Sequence, residues 1–425
     1  MQSRLPLVTA LLLLRVTAFA SGFRASVATV DITPDSPQWL MGYAPRRSTG
    51  VHDKIWHRVV AMDDTKTQFY LVSSDLCLFS PGLYDEVAAR LRKELGIEPR
   101  NFWWSVTHSH ATPEIGPPGF YKTLLGRSDH EWDREYTEQV VNALVTGVRN
   151  AKNSLAPARL AIGTGMAMAN INRRAKDVDG RVSLGLNPDG PVDRQIGLIS
   201  LQRPNGSPLA VIANYAMHGT VLSGANLQVS GDGPGIAAAY VEAKIGAPVL
   251  YLNGAAGNLA PIYSVYPDPK SGHLSQFSVL LGDRILAALQ SLQTGTDDVL
   301  LATSEKIVET ARRPELDWPE ELSTYSRVQS GLNLVRLPLR FLKINDTLIW
   351  SAPVELFCEI ATAVRDAAPF PQTFYFGYTN GWFGYLPTRA AFKEGGYEPK
   401  TSLLTESAEG DVLKGVITYI QGLRR

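Results

Sequence analysis

Three histidines stand where an open α/β sheet presents its groups, directly after an apolar run and before small or turn-forming residues. His108 and His110 follow Phe102-Trp103-Trp104-Ser105-Val106 in "SVTHSHATPEIGPPGF", and His218 lies in "NYAMHGT". In an extended segment side chains alternate with a period of two, so His108 and His110 are expected to point to the same side and reach one cavity. The pair could supply two metal ligands, or one ligand and a neighbour that trades protons with a metal-bound water. A hydrogen-bonded histidine pair at a strand end is the competing reading, because a metal site needs three or four convergent donors. Downstream, "APVELF" places Glu355 at the mouth of a helix, as a metal carboxylate or as a first-turn acid favoured by the helix dipole. "NGWFGYLPT" places Tyr385 in an aromatic, Gly-rich loop, as a site residue or as a core aromatic.

The elements that must position these groups alternate between short apolar runs and helical patterns. Strands are expected at 69–73, 102–107, 196–201, 209–215, 248–252 and 347–351, bounded mostly by Gly, Pro, Asn or Asp. Helices are expected at 82–95, 134–150, 235–244, 274–292 and 355–368. This is an α/β pattern, compatible with a doubly wound sheet or with stacked sheets covered by helices. No internal repeat is visible. The charged, Pro-containing stretch 311–325 is the best place for a boundary and is expected to be a surface excursion.

With 44% hydrophobic and 19% charged residues in 425, the chain has an ordinary globular composition and can bury a sizeable core. Lys plus Arg equal Asp plus Glu at 41 each, and no basic run stands out, which argues against nucleic acid as a partner. Residues 1–20 have the pattern of a secretory signal: Arg4, the apolar run Leu7 to Leu14, and the small-x-small site Ala18-Phe19-Ala20. Arg15 interrupts that run, and a spanning helix would need roughly 20 apolar residues in a row. The expected fate is export, secreted or periplasmic, with no transmembrane segment. Cys77 and Cys358 both sit in apolar surroundings, so buried free thiols are favoured over one long-range disulfide.

Taken in order, these islands resemble the neutral (alkaline, non-lysosomal) ceramidase family, secreted zinc amidases that hydrolyse the N-acyl bond of ceramide. "THSHATP" looks like that family's T-H-T-H-S-G-P and "MHGT" like its V-H-G-T; "GYLPT" resembles G-Y-V-T-T, "GGYEP" resembles Y-E-G, and "NINRR" resembles N-x-N-R-S. "SGDGPG", with Asp232, resembles S-S-D-N-K-G. The resemblance implies an αββα-like fold of mixed sheets covered by helices. It implies a zinc ion (Zn2+) held by His108, His218, Glu355 and Tyr385. Catalytic roles fall to His110 in proton transfer, and to Arg173 and Tyr397 in substrate contact. Residues 21–425 are expected to form a single ceramidase-like hydrolase domain without the family's C-terminal β-sandwich domain.

The sequence also departs from the family. Where relatives have G-D-V-S-P, this chain has "AGNLAP", with Asn258 in the aspartate position and Ala260 in the serine position. A serine acyl-enzyme cannot form at Ala260, so water activated by zinc is the implied nucleophile. The expected activity is therefore exported, zinc-dependent hydrolysis of an N-acyl bond in a small-molecule or lipid substrate, with transient contact at a membrane surface. The alternatives are hydrolysis of another amide, an ester or a lactone on the same platform, and a catalytically inactive binding homologue.

Overall fold

The structure, a computed structural model, describes residues 22–262 and 273–423. The signal-sequence expectation concerns residues 1–20, which lie outside the described residues.

Three units of the same topology succeed one another along the chain. Each consists of three antiparallel strands, a helix, a fourth strand parallel to the third, and a second helix. In the first unit the strands are Arg24–Asp31, Trp56–Asp63, Gln68–Ser74 and Phe102–Val106, and the helices are Pro81–Leu95 and Arg134–Asn153. The second comprises Arg159–Met166, Gln195–Gln202, Pro208–Tyr215 and Val249–Asn253, with helices Asp232–Ile245 and Asp283–Gln290. The third comprises Leu301–Ala311, Leu332–Ile344, Thr347–Ser351 and Gln372–Phe376, with helices Cys358–Ala367 and Ala408–Gly422. A parallel pair requires a crossover, and the helix supplies it, so in each unit the third and fourth strands end at the same sheet edge.

The sheets stack by their apolar faces. Val60, Met62, Leu71 and Trp103 of the first sheet meet Ile199, Leu201, Ile212 and Leu250 of the second, with Leu342, Ile349 and Phe374 of the third closing the side. Outside that layer, Val211, Ala213 and Tyr251 pack on Ala237, Val241, Phe277 and Ile285 of the helical layer. Helices Pro81–Leu95 and Arg134–Asn153 cover the other face of the first sheet through Val87, Leu91, Val140 and Leu144. This is the αββα arrangement, extended by a third sheet.

The apolar runs at 69–73, 196–201, 209–215 and 347–351 lie within observed strands, and those at 102–107 and 248–252 overlap theirs by all but one residue. The strands that escape the sequence reading are half-buried, such as Leu301–Ala311 with Glu305, Lys306 and Glu309, or carry buried polar groups with partners, such as Trp56–Asp63 with His57 and Arg58. The expected helix 355–368 begins only at Cys358; Glu355–Leu356 is a short strand paired in parallel with Tyr385–Leu386. Glu355 is therefore not a first-turn carboxylate. The expected helix 274–292 divides into a 3-10 turn His273–Gln276, a π turn Ser278–Gly282 and the α-helix Asp283–Gln290. The stretch 311–325 is anchored, with Leu322 fully buried and the Trp318 ring 4.7 Å from that of Phe120.

Two buried polar relays lock the first unit. Arg58 donates to Asp75 at 2.9 Å and to Glu242 at 2.7 Å, tying the strand end at Asp75 to the helix Asp232–Ile245 of the second unit. Trp104 Nε1–H donates to Ser74 Oγ at 2.8 Å, the Ser74 hydroxyl to His57 Nδ1 at 2.6 Å, and His57 Nε2–H to the Val140 carbonyl at 3.0 Å. Every member of that relay is satisfied with His57 neutral. Burial penalises the imidazolium and outweighs the Val140 carbonyl, pushing the His57 pKa down to about 4. The unfolded chain takes up this proton near pH 6.5. Stability is thus fully present above about pH 6.5 and falls as pH drops toward 4, by about 3 kcal/mol from this residue. In His57→Gln the loss of melting temperature between those pH values should be shallower than in the wild type by up to one proton's worth, and an unchanged slope would contradict this account.

Candidate metal centre

The ends of the parallel strand pairs from all three sheets converge on one cavity. Beyond Val106 the backbone leaves the sheet, and His108 adopts a left-handed conformation with φ 64°. His108 and His110 are therefore not related by the strand alternation that the sequence pattern predicts, yet the rings still meet: their Nε2 atoms are 3.2 Å apart because the chain turns between them. Gly219 runs alongside, donating its N–H to the His108 carbonyl at 3.2 Å and accepting from His110 N–H at 2.8 Å. A Cβ at Gly219 would lie 2.6 Å from the His108 carbonyl oxygen, which explains the glycine of "MHGT".

Each inner donor is oriented by a second contact. His108 Nδ1–H donates to the Cys77 carbonyl at 3.0 Å, and its Nε2 lies 3.3 Å from Glu355 Oε2. His218 Nδ1–H donates to the Ala256 and Leu259 carbonyls at 2.7 and 3.1 Å, and its Nε2 lies 3.1 Å from the same carboxylate oxygen. Glu355 Oε1 accepts from Trp382 Nε1–H at 2.9 Å, and Oε2 lies 3.4 Å from the Tyr378 hydroxyl. His108, His218 and Glu355 are all buried, and their donor atoms lie within 4.8 Å of one another.

This set fits a zinc ion. Two imidazoles with their Nδ1–H groups given to carbonyls and one carboxylate held from behind are the three-ligand arrangement of an open zinc site. His218 Nε2 is buried and makes no hydrogen bond, so its lone pair is left for a ligand. Burial opposes charge on Glu355, but His108 and His218 outweigh it and hold the carboxyl well below the usual range. Burial, Arg173 and His108 push His218 down to about 3, so it is neutral and able to ligate. Burial, then His108 and His218, likewise hold His110 well below its ordinary value.

Around this centre is a cavity of about 630 Å3 with two kinds of wall. His108, His110, Arg173, Glu355, Tyr385 and Tyr397 form the polar one; Tyr43, Leu78, Leu124, Leu125 and Leu184 dominate the other. Six of the seven residues singled out in the sequence as ligands or catalytic groups line this cavity, and His218 joins the donor set without lining it. Arg173 donates to Glu398 at 2.9 Å and to the Tyr385 hydroxyl at 3.1 Å, while Arg174 takes the other Glu398 oxygen at 2.7 Å. Burial, followed by Glu355, raises the Tyr385 phenol well above its ordinary range, which keeps it protonated. Tyr397 is 39% exposed and marks the cavity mouth.

The turn 256–260 holds several of these pieces. Its carbonyls orient His218, the Asn258 carbonyl accepts Arg173 N–H at 3.0 Å, and Gly257 N–H donates to the Leu356 carbonyl at 2.9 Å. The Asn258 side chain accepts from Cys358 N–H at 3.0 Å and donates to Glu359 at 2.7 Å. Ala260 lines the cavity and supplies no hydroxyl there. Asp232 lies off the cavity: it accepts backbone N–H bonds from Val221, Leu222 and Gly233 at 2.9, 2.8 and 2.6 Å and fixes the loop that follows Thr220. Both cysteines are free and buried, and Cys77 also lines the cavity, a position that its apolar flanks concealed. Tyr378, Trp382 and Glu398 were likewise not singled out, since each acts through a neighbour rather than through a motif of its own.

Comparison with known proteins accords with this geometry. The family described as neutral/alkaline non-lysosomal ceramidase, N-terminal, matches residues 23–256. Neutral ceramidase of Pseudomonas aeruginosa is 27% identical over 58% of this chain and 38% of its own length. Neutral ceramidase of Mycobacterium tuberculosis is 28% identical over 57% of this chain and 39% of its own. The chain thus accounts for less than two-thirds of these relatives' length. The crystal structure of the Pseudomonas aeruginosa neutral ceramidase superposes with a TM-score of 0.77 at 20% identity, covering 95% of this chain and 74% of that one. A structure described as ceramidase complexed with C2 gives a TM-score of 0.77 at 19% identity. With more than half of its residues matched on a fold shared along nearly all of its length, the chain belongs to the neutral/alkaline non-lysosomal ceramidase family.

Proposed function

We propose that the chain is an exported, zinc-dependent hydrolase that cleaves the N-acyl bond of a ceramide-like substrate. The observation that carries this reading is the convergence of His108 Nε2, His218 Nε2 and a Glu355 oxygen, with the His218 nitrogen left without a hydrogen bond. Tyr385, paired with Glu355 across the short parallel strands, is the fourth protein donor. When bound, zinc supplies Lewis-acid chemistry, acidifying water and polarising a carbonyl.

The chain's own residues do the rest. His110 stays neutral at physiological pH, so its ring can take the proton of the attacking water and hand it to the leaving nitrogen. Arg173, whose charge is held by Glu398, and Tyr397 at the mouth donate to the carbonyl oxygen as it gains negative charge. The leucine-rich wall receives an acyl chain, and apolar burial there supplies binding. Because Ala260 carries no nucleophile, the reaction is a direct attack by water. The same feature favours a second reading, hydrolysis of a different amide, ester or lactone, since the family's serine contact is missing. Export rests on Arg4, Leu7 to Leu14 and Ala18 to Ala20. Among the described residues no helix is long and apolar enough to cross a membrane, and a lipid substrate would bring the mouth into transient contact with a membrane surface.

Purified protein is expected to carry about one zinc per chain, lost in His108→Ala and in His218→Ala; folded wild type with no metal by elemental analysis would sink the zinc reading. Asn258→Ala, which releases the turn that orients His218, should weaken zinc binding by about 10- to 100-fold in a chelator competition. Incubation with a short-chain fluorescent ceramide beside N-acyl amino acids and acyl esters decides the substrate. Turnover of ceramide is expected, and turnover of the other compounds alone would replace the ceramide assignment by the second reading.

A further inference from the structure

A second set of donors shares His108. Cys77 Sγ lies 3.8 Å from His108 Nδ1, and one atom each from Cys77, His108 and His110 lie within 4.8 Å of one another. Cys77 is a free thiol on the cavity wall, and His110 Nδ1 is buried without a hydrogen bond. The topology places the thiol as it places two ligands. Cys77 follows the end of the third strand of the first unit at Ser74, as His218 follows Tyr215 in the second and Glu355 follows Ser351 in the third. All three sheets therefore send a potential metal ligand toward the donor cluster from the equivalent strand end.

We infer that Cys77, His110 and His108 form a second ion position, selective for thiophilic divalent metals, that competes with the position formed by His108, His218 and Glu355. The competition follows from valence. His108 belongs to both sets, and an imidazole that ligates through either ring nitrogen has a single lone pair, so it can serve one ion at a time. The two sets differ in softness: two nitrogens and a carboxylate oxygen suit zinc, while a thiolate with two nitrogens favours a softer ion. Binding forms the sulfur–metal bond as the thiol proton leaves to solvent, with no change of oxidation state. An ion there also occupies His110, so such a metal silences the site by drawing off two of its histidines.

Cadmium is the probe, followed by the ultraviolet sulfur-to-cadmium charge-transfer band and by zinc released to a colorimetric chelator. Metal-stripped wild type should develop the band with about one cadmium per chain, and zinc-loaded protein should release its zinc as the band grows. Cys77→Ser should lose the band, whereas Cys358→Ser, which alters the other thiol, should keep it. A band that survives Cys77→Ser, or that never forms in the wild type, overturns the site. His110→Gln gives an independent test: cadmium binding should weaken by about tenfold or more, and an unchanged affinity overturns the assignment. Cadmium binding with the band but without zinc release overturns the competition. The band is read on metal-stripped protein, so failure of the zinc assignment is seen separately, as wild type that never held zinc.

Discussion

A carboxylate buried between two imidazoles is the contact on which the arrangement depends. Glu355, His108 and His218 come from different sheets, and each is almost wholly removed from water. A buried charge of this kind is costly alone, and removing one partner of such a set leaves the other uncompensated, at about 3–5 kcal/mol. The surrounding groups are therefore committed. Trp382 and Tyr378 face the carboxylate, the Cys77, Ala256 and Leu259 carbonyls hold the imidazole rings in orientation, and Gly219 lets two backbones touch. The site is the place where the cost of burying polar groups is met by the precision of their pairing.

The three-unit architecture explains how donors so far apart in sequence meet. In each unit a helix crossover brings the third and fourth strands to a common edge, and the segments leaving those edges carry Cys77, His108, His218, Glu355 and Tyr385. Ligand sites at the carboxyl ends of parallel strands are the general rule of open α/β sheets. Here the rule is applied three times around one cavity.

Much of this was legible in the sequence. The apolar runs located most of the strands that carry the site, because strands buried on both faces have nothing but apolar neighbours to satisfy. The histidine and tyrosine islands located the residues that the cavity gathers. What stayed hidden is what local pattern does not encode. The left-handed turn at His108 brings His110 round by backbone conformation rather than by strand alternation. The strand at Glu355 owes its existence to Tyr385, thirty residues on, and Cys77 sits in an apolar context that describes one side of its environment only. The threefold repetition is absent from the sequence because it resides in strand order and crossover, which many sequences satisfy.

That repetition has a consequence for what metal binding reports. The segment matched by the family, residues 23–256, contains His108 and His218, whereas Glu355 belongs to the third unit beyond it. No single unit holds more than one of the three inner donors. In the proposed centre, ion affinity would therefore measure the mutual placement of three sheets, and a displacement of any one of them, however well each is formed internally, would register in ion binding before it registered in secondary structure.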